Sequence, residues 1–437
     1  MDWEAIGQEA VQLLSEFIKV ETTNPPGNEY RATDFLGRIF EKENIPFQTF
    51  ESDPGRKSIY ARLNGDGSKR PLILLSHSDV VPVDREYWSV DPFGGVIKDG
   101  YIWGRGALDM KNIGIAELVA FLTLHRQKTP LKRDIILLNT ADEEAGGRMG
   151  AGWMTENHPE LFDGAEFLIN ESGKGRMENG TALYSVDITE KTPCWVRLRA
   201  AGEPGHGSRP KSNSSVNRLV RALGRVLEYT PPLKVTAAVE TYFKGIAHLQ
   251  KGSRRGQFQD IRAAVNDPAF LADLSLSSQY AAVLRNTVSV TMMQGSSKIN
   301  IIPQIATAEL DCRLLPGEEP SLFIEELRKV IDDDAIAIEP ILTFGNGASP
   351  FESDFVSAVE TVVSRHHKSV HVVPNILSGF TDSHFFRDLG VQCYGFSPFI
   401  LPDNDLRGIH GNDERISVEN MKRGPKVLFE IVEVLNR

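Results

Sequence analysis

Two histidines and a set of carboxylates stand out because of where they fall in the chain. His77 and Asp79 come directly after the apolar run Leu72-Ile73-Leu74-Leu75. Asp109 lies in Gly104-Arg105-Gly106-Ala107-Leu108-Asp109-Met110-Lys111, Glu143 and Glu144 follow a second apolar run at 134–140, and Glu171 follows Phe167-Leu168-Ile169-Asn170. His410 comes late, in Gly408-Ile409-His410-Gly411. Imidazole and carboxylate donors without thiolate favour zinc, cobalt or manganese over copper or an iron-sulfur cluster. Three carboxylates and two imidazoles can hold two such ions if one carboxylate bridges them, and a pair about 3.5 to 4 Å apart can share a hydroxide as nucleophile. In the adjacent pair Glu143-Glu144, one carboxylate can ligate while the other takes the proton of a water. An isolated His-x-Asp is more often a strand-end histidine beside an acceptor, so the chemistry depends on convergence.

The elements needed for convergence are present in the pattern. Trp3, Ile6, Ala10, Leu13, Phe17 and Ile18 have helical spacing over 3–19, and a second helix carries Phe35, Leu36, Ile39 and Phe40. Strands follow at 46–51 and 58–63, then strand 72–76, helix 112–127, strand 134–140, helix 149–157 and strand 165–170. This alternation predicts an α/β domain whose mixed, mostly parallel sheet is flanked by helices. Most of the chemistry-bearing residues lie just after strands, where open α/β sheets keep their ligands.

The texture changes near residue 192. Trp195-Val196-Arg197-Leu198-Arg199 alternates strictly, 214–228 is helical, the polar stretch 250–283 reads as helix or loop, and two more alternating strands lie at 286–293 and 304–313. We therefore expect a smaller inserted α+β domain over 193–315. After Pro316-Gly317 the βα alternation resumes with helix 320–331, strand 335–343, helix 352–366, strand 369–375, helix 383–389, strand 391–396 and helix 417–435. The catalytic domain is thus expected to be discontinuous, 1–192 and 316–437.

A chain of 437 residues exceeds what one core usually supports. The net charge of −11, from 48 basic and 59 acidic residues without long runs of either sign, argues against nucleic acid or an anionic membrane as partner. Cys194, Cys312 and Cys393 lack metal or disulfide spacing. No stretch approaches the roughly 18 apolar residues of a membrane span, and the N-terminus lacks the pattern of a signal peptide, so a cytoplasmic protein acting on a small molecule is expected. Ser76 and Ser78 lack a G-x-S-x-G elbow and no G-x-G-x-x-G follows a strand, which disfavours acyl-serine and nicotinamide chemistry.

Taken in order, S-H-S-D-V-V-P at 76–82, G-R-G-A-L-D-M-K at 104–111, D-E-E at 142–144, E-S-G at 171–173 and G-I-H-G at 408–411 resemble the di-zinc aminoacylase and carboxypeptidase family. The resemblance covers essentially the whole chain and leans towards the carboxypeptidase S and N-acyl-amino-acid hydrolase branch. It implies two Zn2+ ions, with Co2+ or Mn2+ as alternatives. One would be held by His77, Asp109 and Glu171, the other by Glu144 and His410, with Asp109 bridging. It also implies Glu143 as the general base acting on the shared hydroxide, Asp79 as the carboxylate orienting His77, and a cis Asp109-Met110 peptide.

In the inserted domain, His206 resembles a lid histidine that stabilises the oxyanion and often reaches a neighbouring subunit, so this domain is expected to serve as lid and in a homodimer. Asn300, Arg313 and the loop containing Gly379 and Thr381 match residues that hold the substrate carboxylate or the scissile carbonyl, although Phe380 replaces the commoner second glycine. Without the resemblance, His206 reads as a solvated loop histidine, Asn300 as a turn residue and Arg313 as a strand-edge arginine. The implied activity is hydrolysis of an amide bond beside a free carboxylate. N-acyl-amino-acid hydrolase and exopeptidase remain open, and a mononuclear enzyme or a non-catalytic binding protein on the same scaffold are the competing readings.

Overall fold

The strand Leu72–His77 is buried at every position, and its side chains alternate between two cores. In the computed structural model, which describes residues 1–178, 180–345 and 347–437 with the backbone alone at 278 and 279, Leu72 and Leu74 enter one core while Ile73 and Leu75 enter another. A strand with a neighbour on each side and packing on each face has to be apolar throughout, which is why this run shows no polar alternation.

The chain forms two compact units, Met1–Ile188 with Ser349–Asn375 and Thr381–Arg437, and Thr189–Ala348 with Ile376–Phe380. In chain order the strands are β1 (Phe47–Asp53), β2 (Arg56–Leu63), β3 (Leu72–His77), β4 (Val96–Lys98), β5 (Tyr101–Trp103), β6 (Ile135–Thr140), β7 (Phe167–Asn170), β8 (Gly175–Glu178) and β9 (Thr181–Glu190). They continue as β10 (Thr192–Ala201), β11 (Gly205–His206), β12 (Thr287–Gln294), β13 (Ile301–Ile302), β14 (Ile305–Leu314), β15 (Ile336–Thr343), β16 (Val370–Leu377), β17 (Gln392–Gly395) and β18 (Arg415–Ser417).

The large sheet has the order β1-β2-β6-β3-β7-β17-β9-β16, with β8 on β9. Its centre, β6-β3-β7-β17, is parallel, and β1, β2, β8 and β9 pair antiparallel, so the sheet is mixed and flanked by helices as expected. The helix Lys111–Arg126 packs on β3 and β6 and against the helices Trp3–Ile18 and Val418–Leu435. It is buried on all sides from Lys111 to Leu124, so its apolar residues form no single stripe. The hairpin β4–β5 and the strands β8 and β9 are additions to the expected elements; β4, β5 and β8, of three or four residues each, are too short to show a period.

The second unit is built on an antiparallel sheet, β12-β14-β10-β15. Its core joins Val196, Leu198 and Ala200 to Leu219 and Leu223 of the helix Ser215–Glu228. The segment between that helix and β12 folds into short helices around Phe243, Phe258 and Phe270, all buried.

One boundary differs from the sequence pattern. The expected insertion ends at 315, but the helix Pro320–Ile331 and β15 belong to the second unit. Ile336 and Ile338 alternate with Ala337 and Glu339, the pattern of a strand with one covered face, and they pair with Ala200 and Leu198 of β10. Phe323, Leu327 and Ile331 complete the same core. The short return Ile376–Phe380 also groups with this unit. Among the described residues no helix is long and apolar enough to cross a membrane.

Because Leu327 is fully buried in that core, Leu327→Ala should destabilise the second unit by about 2 to 5 kcal/mol. Urea unfolding followed by the fluorescence of Trp195, on β10, measures it.

Candidate metal centre

β3, β6 and β7 are parallel and adjacent, so their carboxyl ends emerge on one edge. His77 closes β3. After β6 the left-handed Asp142 (φ 73°) turns the chain so that Glu143 and Glu144 begin a single 3-10 turn, and after β7 Glu171 is followed by Ser172 (φ 76°) and Gly173 (φ 48°). A Cβ on Gly173 would lie 2.2 Å from the Gly395 carbonyl oxygen, so only glycine fits this turn. Asp109 arrives from the loop before the helix Lys111–Arg126, its peptide bond to Met110 being cis, and His410 arrives from the loop before β18.

His77 Nδ1 lies 3.0 Å from the main-chain oxygen of Asp79 and 3.4 Å from its Oδ1. A carbonyl oxygen only accepts, so Nδ1 carries the hydrogen and the neutral ring keeps its lone pair on Nε2. That buried Nε2 makes no hydrogen bond, yet Asp109 Oδ1 at 3.3 Å, Glu171 Oε1 at 3.6 Å and Glu143 Oε2 at 3.9 Å stand around it. Anionic oxygens grouped about a bare lone pair repel it unless a cation lies among them. Asp109 turns its other oxygen, Oδ2, to His410 Nε2 at 3.1 Å, and the same nitrogen is 3.1 Å from Glu144 Oε2. Asp109 therefore lies between two donor groups. Donor atoms of His77, Glu143 and Glu171, and those of His77, Asp109 and Glu144, each fall within 4.8 Å of one another. These nitrogen and oxygen donors fit divalent zinc, cobalt or manganese, and the orphaned Nε2 is where the fit is clearest.

The electrostatics record the same demand for positive charge. Burial, and next the charge of Glu171, push Glu143 well above the usual carboxylate range; burial and Asp109 do the same to Glu171. Burial opposes ionisation of Asp109 too, but the imidazoles of His410 and His77 beside it hold it below that range. His410 is raised to about 10 by its bonds to Asp109 and Glu144. Burial disfavours a charged His77, but the carboxylates of Asp109, Asp79, Glu171 and Glu143 outweigh it and raise its pKa.

Several residues that hold this arrangement carry no motif of their own. Asp79 accepts from the backbone N–H groups of Glu143 and Glu144, each at 3.1 Å, and from Asn24 Nδ2 at 2.8 Å. Arg56 Nη2 donates to Asp142 at 2.7 Å and to Glu29 at 2.8 Å. The loop Ala145–Met149 wraps around Asp142, which accepts from Met149 N at 2.9 Å. A Cβ on Gly147 (φ 69°) would fall 2.1 Å from Asp382 Oδ1, and Asp382, itself raised to about 8 by burial, accepts from Thr140 Oγ1 at 2.9 Å. Glu414, in the stretch after His410, accepts from the backbone N–H of Asp109 at 3.0 Å. The only sequence signal for Asp382 and Glu414 is their nearness to motif residues; Asn24 and Arg56 have none.

The remaining expected residues are placed within each unit. In the second, β11 pairs with β13, Gly207 N donates to the Asn300 oxygen at 2.8 Å, and the exposed His206 ring has Ser208 Oγ 2.8 Å from its Nδ1. Arg313 donates through Nε and Nη2 to Asp311 at 2.7 and 3.1 Å, and its guanidinium lies 5.3 Å from the ring centres of both Trp195 and Phe380. Phe380 thus packs as an aromatic platform for Arg313. Gly379 belongs to the same unit and Thr381 to the first, where Thr381 is buried and its Oγ1 accepts from Ser383 N at 3.2 Å.

An α/β sheet edge bearing these donors defines a metal-dependent hydrolase. The chain belongs to peptidase family M20/M25/M40, whose profile matches residues 73–434. An N-fatty-acyl-amino acid synthase/hydrolase of Xenopus tropicalis is 30% identical over 454 residues, spanning 98% of this chain and 86% of that protein. Aminoacylase-1B of Rattus norvegicus is 25% identical over 438 residues, 98% and 95% of the two chains. Among solved structures, the M20 family metallo-carboxypeptidase Sso-CP2 from Sulfolobus solfataricus shares the fold with a TM-score of 0.74 and 20% identity, over 98% of this chain and 99% of that one.

The pKa directions predict how the metal-stripped protein responds to pH. Glu143 and Glu171 bind protons more tightly folded than unfolded, so their contribution falls as pH rises above the ordinary carboxylate range. His77 and His410 contribute stability that is complete below the unfolded histidine pKa and lost as pH rises through their folded values. Thermal unfolding of the stripped protein should therefore move to lower temperature between about pH 5 and pH 8, and added Zn2+ should reverse the loss at the upper end.

Proposed function

We propose that this chain is a dinuclear zinc amidohydrolase that cleaves N-acyl amino acids to a carboxylic acid and a free amino acid. The observation that carries the reading is the position of Asp109, with one oxygen at His77 and the other at His410. His77, Asp109 and Glu171 would hold one ion, and Asp109, Glu144 and His410 the other. Two divalent cations bound there would polarise an amide carbonyl and bring a water molecule to deprotonation near neutral pH. Glu143 takes the water's proton and returns it to the departing nitrogen, a role suited to a carboxylate with raised proton affinity. Asp79 keeps His77 in the tautomer whose Nε2 is bare. To His206 we assign donation to the oxyanion, and to Asn300, Arg313, Gly379 and Thr381 the contacts with the substrate's carboxylate and carbonyl. Arg313 keeps Nη1 for that purpose, since Nε and Nη2 are engaged by Asp311.

The Xenopus and rat relatives, named for acyl-amino-acid chemistry, support the acyl substrate. The alternative is an exopeptidase, favoured by the Sulfolobus protein, described as a metallo-carboxypeptidase. A cytoplasmic setting is supported by Cys194 and Cys312, buried thiols outside any disulfide. A homodimer through the second unit is supported by β12, an edge strand of its sheet with Met292 and Met293 exposed.

Glu143→Gln should keep the metal content of the parent protein while turnover falls about 100- to 10,000-fold; retained turnover would remove Glu143 from the proton transfer. A screen that varies the acyl group and the amino acid independently, alongside dipeptides, tests the substrate. Cleavage confined to dipeptides selects the exopeptidase.

A further inference from the structure

The two loops that deliver Asp109 and His410 lie outside helices and sheet strands, yet the separation of these side chains governs whether one carboxylate can serve two metal positions. His77 needs no such help, being the last residue of a buried strand with its ring fixed by Asp79. His410 is the opposite case: its side chain is 53% exposed, its backbone is left-handed (φ 55°), and it sits in a loop.

One buried ion pair ties both loops together. Arg105 and Glu414, with side chains 3% and 0% exposed, meet at 2.6 Å. Glu414 Oε1 accepts from Leu108 N at 2.6 Å and Asp109 N at 3.0 Å, while Oε2 accepts from Gly106 N at 3.1 Å in addition to Arg105 Nη1. Both carboxylate oxygens are thus used to hold the backbone leading into Asp109. Arg105 works in the other direction, donating from Nη2 to the carbonyl oxygen of Gly411, the residue after His410, at 2.8 Å. Its guanidinium is backed by Trp88, 5.2 Å from the ring centre. Beside the approach of His410 to Asp109 itself and the backbone bond from Gly104 N to the Glu414 carbonyl oxygen at 2.9 Å, the other side-chain ties of the later loop, Ser89 to Asp413 and Arg415 to Asp405, do not involve residues 104–109.

We propose that Arg105 and Glu414 form a positioning pair that sets the spacing between Asp109 and His410, so that the metal position served by His410 depends on it, while the one served by His77 keeps its affinity through His77 and Glu171, both fixed at strand ends. The proposal rests on the dinuclear reading above. Glu414→Gln keeps the size of the side chain but replaces one accepting oxygen with an NH2 group, which only donates and so can receive neither Arg105 nor Gly106. Arg105→Lys keeps the charge facing Glu414 but cannot also reach Gly411.

The test is Zn2+ titration of the stripped full chain, with bound metal counted by elemental analysis and affinity measured by competition with a chelator. The parent protein should take two equivalents. Both variants should keep the first at parent affinity and bind the second about 10- to 100-fold more weakly, the usual cost of losing a partner that orients a ligand. Their kcat should recover at high Zn2+, with KM for substrate unchanged. Two equivalents at parent affinity in both variants, or equal loss of both equivalents, would overturn the assignment. If Glu414→Gln does not fold, Arg105→Lys decides on the same criterion, and unfolding of both would make the pair a strut of the fold and overturn its specific role. A parent protein that binds a single equivalent refutes the dinuclear reading itself.

Discussion

Asp79, Asp109, Glu143, Glu144 and Glu171 are packed around His77 and His410 with too little positive charge between them for all five to remain ionised. Burial raises the proton affinity of Glu143, Glu144 and Glu171, and each of them also feels a neighbouring carboxylate. Carboxylates at such distances either take up protons or share cations. The imidazole of His77, aimed with its bare nitrogen into the group, makes the second outcome chemically useful. Much of the rest of the first unit serves to hold this unfavourable arrangement in place.

The scaffold does so by distributing the constraint. Three parallel strand ends supply His77, the Glu143-Glu144 turn and Glu171 from rigid, fully buried segments. Asp79 then couples them, since its main-chain oxygen fixes the His77 ring while its carboxylate receives the N–H groups of Glu143 and Glu144. Positive charge is kept one layer back. Arg56 lies between Asp142 and Glu29, Arg105 pairs with Glu414, and the buried Lys111 donates to the carbonyls of Phe17 and Val20. None of these cations is hydrogen-bonded to the carboxylates grouped around His77 Nε2. That leaves those oxygens for a metal.

The second unit solves a different problem, presenting polar side chains from an ordinary half-covered sheet. Arg313 shows how. Asp311 takes two of its nitrogens while Trp195 and Phe380 lie near its guanidinium, so the group is fixed in orientation with Nη1 still to be used. Phe380 occupies a position where a glycine would have left that side of Arg313 bare.

Legibility in the sequence follows the range of the interactions. Continuous apolar runs such as Leu72–Leu75 mark strands buried on both faces, and the residues directly after them mark the sheet edge, because these depend on a period within a few positions. The donor types and their order along the chain were open to inspection for the same reason, and with them the family. The role of Glu414, the Arg56 network and the fit of Gly147 against Asp382 were not, since each joins segments far apart in sequence through a contact that no local pattern encodes. The boundary at 315 was missed for a related reason: a helix followed by a strand looks alike whichever sheet it joins, and only the pairing of β15 with β10 decides. The sequence by itself determined which donors this protein has and that most of them follow strands; only the tertiary structure decided that Asp109 lies between His77 and His410, which stand 333 residues apart in the chain, because that meeting is set by packing and not by period.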